Sequence, residues 1–207
     1  MAAADPPYAI RTERLLLRCW DPADAAALKE ALDSSLDHLR PWMPWAAAEP
    51  QPLAEKVALL RRFRGSFDLG QDYVYGVFDG GGGDVVGGTG LHTRVGDRAF
   101  EIGYWIRASR IGEGLATELS AALTRVAFEV CGVDRVEIRV DPRNERSAAI
   151  PRKLGFVEEA RLRRRLPDVG GQLRDSAVYS LFADGFAGTP AAAARVEAFD
   201  AAGARVL

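Results

Sequence analysis

The chain has 207 residues, 48% hydrophobic and 27% charged, the make-up of one globular domain with a substantial core. Its formal net charge of -2 gives no overall electrostatic reason to bind DNA or an anionic membrane. Two cysteines (Cys19, Cys131) and two histidines (His38, His92) are too scattered for a metal site or a disulfide framework. No apolar run approaches the ~20 residues of a membrane helix, and "MAAADPPYAI" lacks the pattern of a secretory leader, so a soluble cytoplasmic protein is expected.

"RLLLRCW" (14–20) reads as a first strand. It stops at "DPADAAALKEAL", where Asp21 can cap a helix, Pro22 takes its first position and Asp24 suits its positive end. "LDHLRPWMPW" is too broken by proline to continue that helix. A second helix follows in "PLAEKVALLRRFRGSF", with Leu53, Val57, Leu60 and Phe63 at helical spacing. The period then changes to two. "DYVYGVFD", "VVGGTGLHTRV" and "RAFEIGYWI", joined by "GGGGD" and Gly96–Asp97, form an antiparallel meander. Its last strand runs into "ASRIGEGLATEL", and a helix follows with Leu115, Leu119, Leu123, Val126 and Val130 on one face, ended at Gly132. "DRVEIRV" is a strand, "NERSAAIPRKLGF" a short helix capped by Asn144, and "VEEARLRRRL" with "RDSAVYSLF" a closing hairpin around "PDVGGQ". Residues 12–185 are expected to form the domain. The Ala-rich residues 186–207 are expected to be a loosely docked helix or a disordered tail.

Gly112 and Gly114 open a helix, where each costs stability relative to other residues. One reading is relief of crowding at a tight turn. The other is close approach of an anion to the unpaired N–H groups of a helix N-terminus. A P-loop is excluded, because Leu115–Ala116 stand where Lys and Ser/Thr are needed. A dinucleotide fingerprint lacks its third glycine, since Thr117 is there, although Asp134 or Glu137 could serve as the ribose acid. A nicotinamide-nucleotide enzyme therefore stays open from the residues alone.

The segments "ERLLLR", "RPWMPW", "EIGYWI", "RIGEGLATE", "NERSAAIPRKLGF", "LRRRL" and "AVYSL", in this order over residues 12–183, resemble the Gcn5-related N-acetyltransferases (GNAT). The RimJ/RimL-like branch, which acetylates N-termini of ribosomal proteins, is the most similar. The resemblance implies an α/β (α+β) fold: one domain with a mixed, mostly antiparallel sheet, splayed central strands and flanking helices. It implies acetyl-CoA as co-substrate, no metal, and an amine acceptor, first the α-amine of a protein N-terminus, with a small amine (polyamine, amino acid or aminoglycoside-like) as the alternative. A homodimer is compatible with it. A catalytically silent coenzyme A-binding module is the alternative of another class.

By resemblance, the amides of Ile111, Gly112, Glu113, Gly114, Leu115 and Ala116 hold the coenzyme's pyrophosphate, although Ser109 stands where the family has Arg or Gln. Backbone around Trp105, Ile106 and Arg107 holds the pantetheine in the added-strand manner. Pro151 stands where many relatives have a tyrosine acid, so Ser147 is the candidate hydroxyl facing the sulfur, with Asn144 and Lys153 as cofactor contacts. Glu101 is the candidate base, its alternative being an ion-paired strand carboxylate. Trp42 and Trp45, with Tyr73 and Tyr75, are the candidate acceptor-pocket residues; each pair could instead pack in the core. Some relatives carry a further acid where this chain has Arg163–Leu166, which argues against a ribosomal-protein acceptor. Arg161, Arg163 and Arg165 are expected on one strand face, solvated or docking an acidic acceptor or ribosomal RNA. Cys131 and His92 are expected to be structural.

Overall fold

A computed structural model describes residues 4–168 and 170–207; Val169 of the "PDVGGQ" turn lies outside the described residues. The elements run β1 (Ala9–Arg11), β2 (Leu15–Cys19), α1 (Ala25–Asp33), α2 (Leu36–Leu39), α3 (Leu53–Asp68), β3 (Tyr73–Asp79), β4 (Val85–His92) and β5 (Ala99–Ile106). Then follow α4 (Leu115–Glu129), β6 (Arg135–Val140), α5 (Glu145–Lys153), β7 (Val157–Pro167), β8 (Leu173–Phe182), α6 (Ala183–Phe186) and β9 (Glu197–Phe199). Local chemistry sets the boundaries. The Asp21 carboxylate accepts the Ala23 N–H at 2.8 Å and Asp24 accepts the Asp21 N–H at 2.9 Å, a reciprocal cap that starts a 3-10 turn leading into α1. Gly132, at φ +64°, turns the chain after α4.

One mixed sheet orders its strands β7-β8-β6-β5-β4-β3-β2-β1-β9, and every neighbouring pair except β5/β6 is antiparallel. The parallel pair needs a crossover, and α4 supplies it. Leu119, Leu123 and Val126 of α4 are buried with Ile102, Val136 and Ile138 on one face of the sheet. Leu28, Leu32 and Leu60 of α1 and α3 are buried with Trp20 and Phe78 on the other. The parallel pairing is brief: Ala99↔Arg135, Phe100↔Val136 and Glu101↔Glu137, after which β5 and β6 part.

One sequence expectation is corrected. The Ala-rich end is neither a loose helix nor a disordered tail: it supplies β9, which pairs with β1 through Ile10↔Ala198. Ala191, Val196 and Ala198 are buried there, and their small side chains let the segment close down on the sheet edge. The arginine strand is not regular: β7 bulges between Leu162 and Leu166, and Arg164 takes φ +50°.

Docking of the tail is testable. Ala198→Asp places a carboxylate in a fully buried site and should destabilise the fold by on the order of 3 kcal/mol, read as a lower denaturant midpoint. Ala201→Asp, at an exposed position, should leave the midpoint unchanged.

Candidate active site

Gly112 and Gly114 adopt φ +86° and +80°. A Cβ on Gly112 would meet nothing within 4 Å, so the backbone conformation, not crowding, demands glycine there. The consequence is an unobstructed turn. Among the described residues, no hydrogen bond within the chain takes up the N–H groups of Ile111 through Ala116. Six consecutive amides at a helix N-terminus suit an anion. The turn is braced from the N-terminal segment. Arg14 donates to the Glu113 carbonyl at 2.9 Å and to the Glu118 carboxylate at 2.7 Å, and the Thr12 hydroxyl donates to Glu118 at 2.6 Å. These contacts join "ERLLLR" to "RIGEGLATE". The Glu113 side chain turns back to Arg110 at 2.8 Å, and Leu115 packs into the core.

Where β5 leaves β6, its backbone faces an open gap. The Arg107 N–H donates to the Val86 carbonyl at 2.9 Å, so Arg107, and by alternation Trp105, turn their backbone groups toward β4. Tyr104 and Ile106 are left facing the gap. The expected pantetheine contacts thus narrow to Ile106, with Tyr104 added. The Arg107 guanidinium is held by the Val85 carbonyl at 3.2 Å and Glu30 at 2.8 Å.

On the α4 face, α5 packs against α4 and β6. The Asn144 side chain accepts the Ser147 N–H at 3.1 Å and caps the helix. The Ser147 hydroxyl lies 3.0 Å from the Tyr104 hydroxyl, tying α5 to β5. Burial pushes the Tyr104 phenol up to about 12. Lys153, at the end of α5, lines an open cleft of about 570 Å³ with Arg14, Thr117 and Arg195.

The opposite face differs in character. Glu101, 6% exposed, sits in the fork of Arg94 at 2.5 and 3.0 Å, with Arg139 at 3.6 Å. Its register partner Glu137 is held by Arg135 and Arg139, each at 2.9 Å. Glu101 is therefore an ion-paired carboxylate. Beyond it, Asp141 is buried against Arg143 and Arg174 at 2.7 and 3.4 Å, and these neighbours hold its carboxyl below the usual range despite burial. Trp45 stacks edge-on against Trp105 at 6.3 Å, and Trp42 lines a cleft of about 410 Å³ facing Asp168 and Gln172 at the hairpin tip.

Tyr73 and Tyr75 do not join these tryptophans. Tyr75 is in register with Thr89 and Thr89 with Tyr104, so the two tyrosines share the α4 face. Their hydroxyls donate to Asp5 and to the Pro7 carbonyl, both at 2.8 Å. They are core residues. Cys131 is also buried, which pushes its thiol up to about 12 and makes it no nucleophile.

Residues 14–157 match the acetyltransferase (GNAT) domain family. A Bacillus subtilis protein, provisionally named ribosomal N-acetyltransferase YdaF, is 31% identical over 82% of this chain and 91% of its own length. The chain belongs to the GNAT family. The ribosomal protein uS5-alanine N-acetyltransferase of Escherichia coli is 25% identical over 85% of this chain and 91% of its own length. The solved structure of Mycobacterium smegmatis RimJ with a CoA-disulfide superposes with a TM-score of 0.75 at 26% identity, covering 92% of this chain and 94% of that one.

As a GNAT member this chain is an acetyl-CoA-dependent N-acetyltransferase. The free amides of 111–116 and the unpaired edge facing the gap fit a pyrophosphate joined to an extended amide chain. Tyr104, the Thr12–Arg14–Glu118 brace, Arg94, Arg139 and Asp141 had no local signal in the sequence, because their partners lie on other elements.

Gly112→Asp adds both a strained φ, about 1–2 kcal/mol, and a negative charge where an anion binds. Acetyl-CoA affinity by calorimetry should fall tenfold or more. Unchanged binding heat would remove the turn from the site.

Proposed function

We propose that this enzyme acetylates the α-amine at a protein N-terminus. The observation that carries the reading is the state of Glu101: its carboxylate is engaged by Arg94 and Arg139, leaving no free carboxylate at that point of the acceptor-side face. A site without a strong base suits an amine that is easily deprotonated. An α-amine near 8 is roughly a tenth neutral at pH 7, whereas a lysine near 10.4 needs about 3 kcal/mol more. The names of the B. subtilis and E. coli relatives, which point to ribosomal proteins, support the same acceptor class.

Bound acetyl-CoA supplies an acetyl thioester, open to attack by the neutral amine. The N–H groups of Tyr104 and Ile106 are suited to stabilise the developing oxyanion, being rigid strand donors. The Ser147 hydroxyl, tied to Tyr104, is suited to solvate the departing sulfur. Full proton delivery by Tyr104 is disfavoured: from about 12 to a thiol near 8.5 is uphill by about 5 kcal/mol. Asn144 and Lys153 serve as cofactor contacts. Trp42 and Trp45 line the acceptor entrance, and a peptide backbone laid against their rings fits an aromatic wall on an irregular loop.

The test is coenzyme A release with two sets of acceptors: short peptides with free Ser, Ala or Met N-termini, against polyamines, aminoglycosides and amino acids. Turnover confined to peptides and abolished by blocking the α-amine is expected. Turnover with a small amine alone would overturn the proposal.

A further inference from the structure

The acceptor-side face carries a histidine–aspartate pair that the sequence hides, since its members are 20 residues apart. His92 ends β4 and Asp72 precedes β3, and Nδ1 of His92 lies 3.0 and 2.9 Å from the two Asp72 carboxylate oxygens. A proton shared on that side leaves Nε2 with its lone pair. The ring leans across the sheet over two glycines. A Cβ on Gly90 would come within 2.9 Å of Nε2, and one on Gly103 within 3.2 Å. Gly103 lies on β5 between Glu101 and Trp105, just past the last β5/β6 pair. Nε2 therefore sits over the start of the gap, on the face opposite Ser147.

Nε2 makes no hydrogen bond within the described residues, and the side chain keeps 16% exposure. The charged groups around it are Asp72, its register partner Glu101, and Arg94, which holds Glu101. With Glu101 ion-paired, His92 is the one nearby group with an unoccupied basic atom among the described residues.

We infer that His92, oriented by Asp72, is the base that takes the proton from the acceptor ammonium. This rests on the amine-acetylation reading above. The ammonium proton moves to Nε2, the freed nitrogen pair forms the N–C bond at the acetyl carbonyl, and the C–S bond breaks. The pair leaves on sulfur; the acetylated nitrogen sheds its second proton, which reaches the sulfur through solvent, and the imidazolium returns the first proton to solvent. An α-ammonium, near 8, gives up its proton to a base far more readily than a lysine ammonium near 10.4. The base thus matches the proposed acceptor.

The experiment measures kcat/KM against pH for the wild type, His92→Gln and Asp72→Asn on an active N-terminal peptide, with acetyl-CoA affinity by calorimetry. His92→Gln should lose about 100-fold at pH 7, less as pH rises past the α-amine's own titration, with acetyl-CoA affinity unchanged. Asp72→Asn should lose less, and imidazole should partly restore His92→Ala. A His92→Gln enzyme with the wild-type rate and profile would overturn the assignment alone. A loss equal at every pH and unmoved by imidazole would also overturn it, by marking His92 as structural. A wild type inert on every peptide would overturn the acceptor reading and this assignment with it.

Discussion

The β5/β6 contact is the constraint on which the site depends. Parallel strands joined by α4 pair for three residues and then part, inside a sheet whose other neighbours pair antiparallel. Unpaired N–H and C=O groups in a sheet interior cost about 1–3 kcal/mol each unless a partner reaches them. The gap is thus a vacant strand position that favours an extended amide chain. At its closed end, Glu101 and Glu137 stand side by side, and their repulsion is offset by Arg94, Arg135 and Arg139.

The pleat then divides the chemistry between two faces. Tyr104 points to the α4 side, where Ser147 and the amides of 111–116 lie, and Gly103 and Trp105 belong to the other side with His92. Donor and acceptor can approach one gap from opposite directions. Neither has to pass the other. The brace from Thr12 and Arg14 to Glu118 explains why a motif at the start of the chain accompanies one in its middle: it fixes the carbonyl of Glu113 so that the neighbouring amides stay free.

Much of this was legible where physics is local. The meander and the Asp21 and Asn144 caps are written in short windows, and the structure bears out each. Pairings between distant residues were not. Tyr73 and Tyr75 alternate as expected, yet alternation cannot say which face is which, and they point into the core. An Ala-rich end has no strand signature, and β9 exists because β1 offers it an edge. The bulge of β7 between Leu162 and Leu166 had no local signal either. The His92–Asp72 pair was not legible because Asp72 comes 20 residues earlier and the glycines beneath the ring sit on two strands.

The central claim is that the parted strands and the glycine turn form one continuous donor site. Hydrogen–deuterium exchange with and without acetyl-CoA tests it most directly. Exchange should slow at the amides of Tyr104, Ile106 and residues 111–116, with Trp105 and Arg107, already turned to β4, unchanged. Protection confined to the cleft beside Trp42, with the gap and the turn exchanging as before, would contradict it.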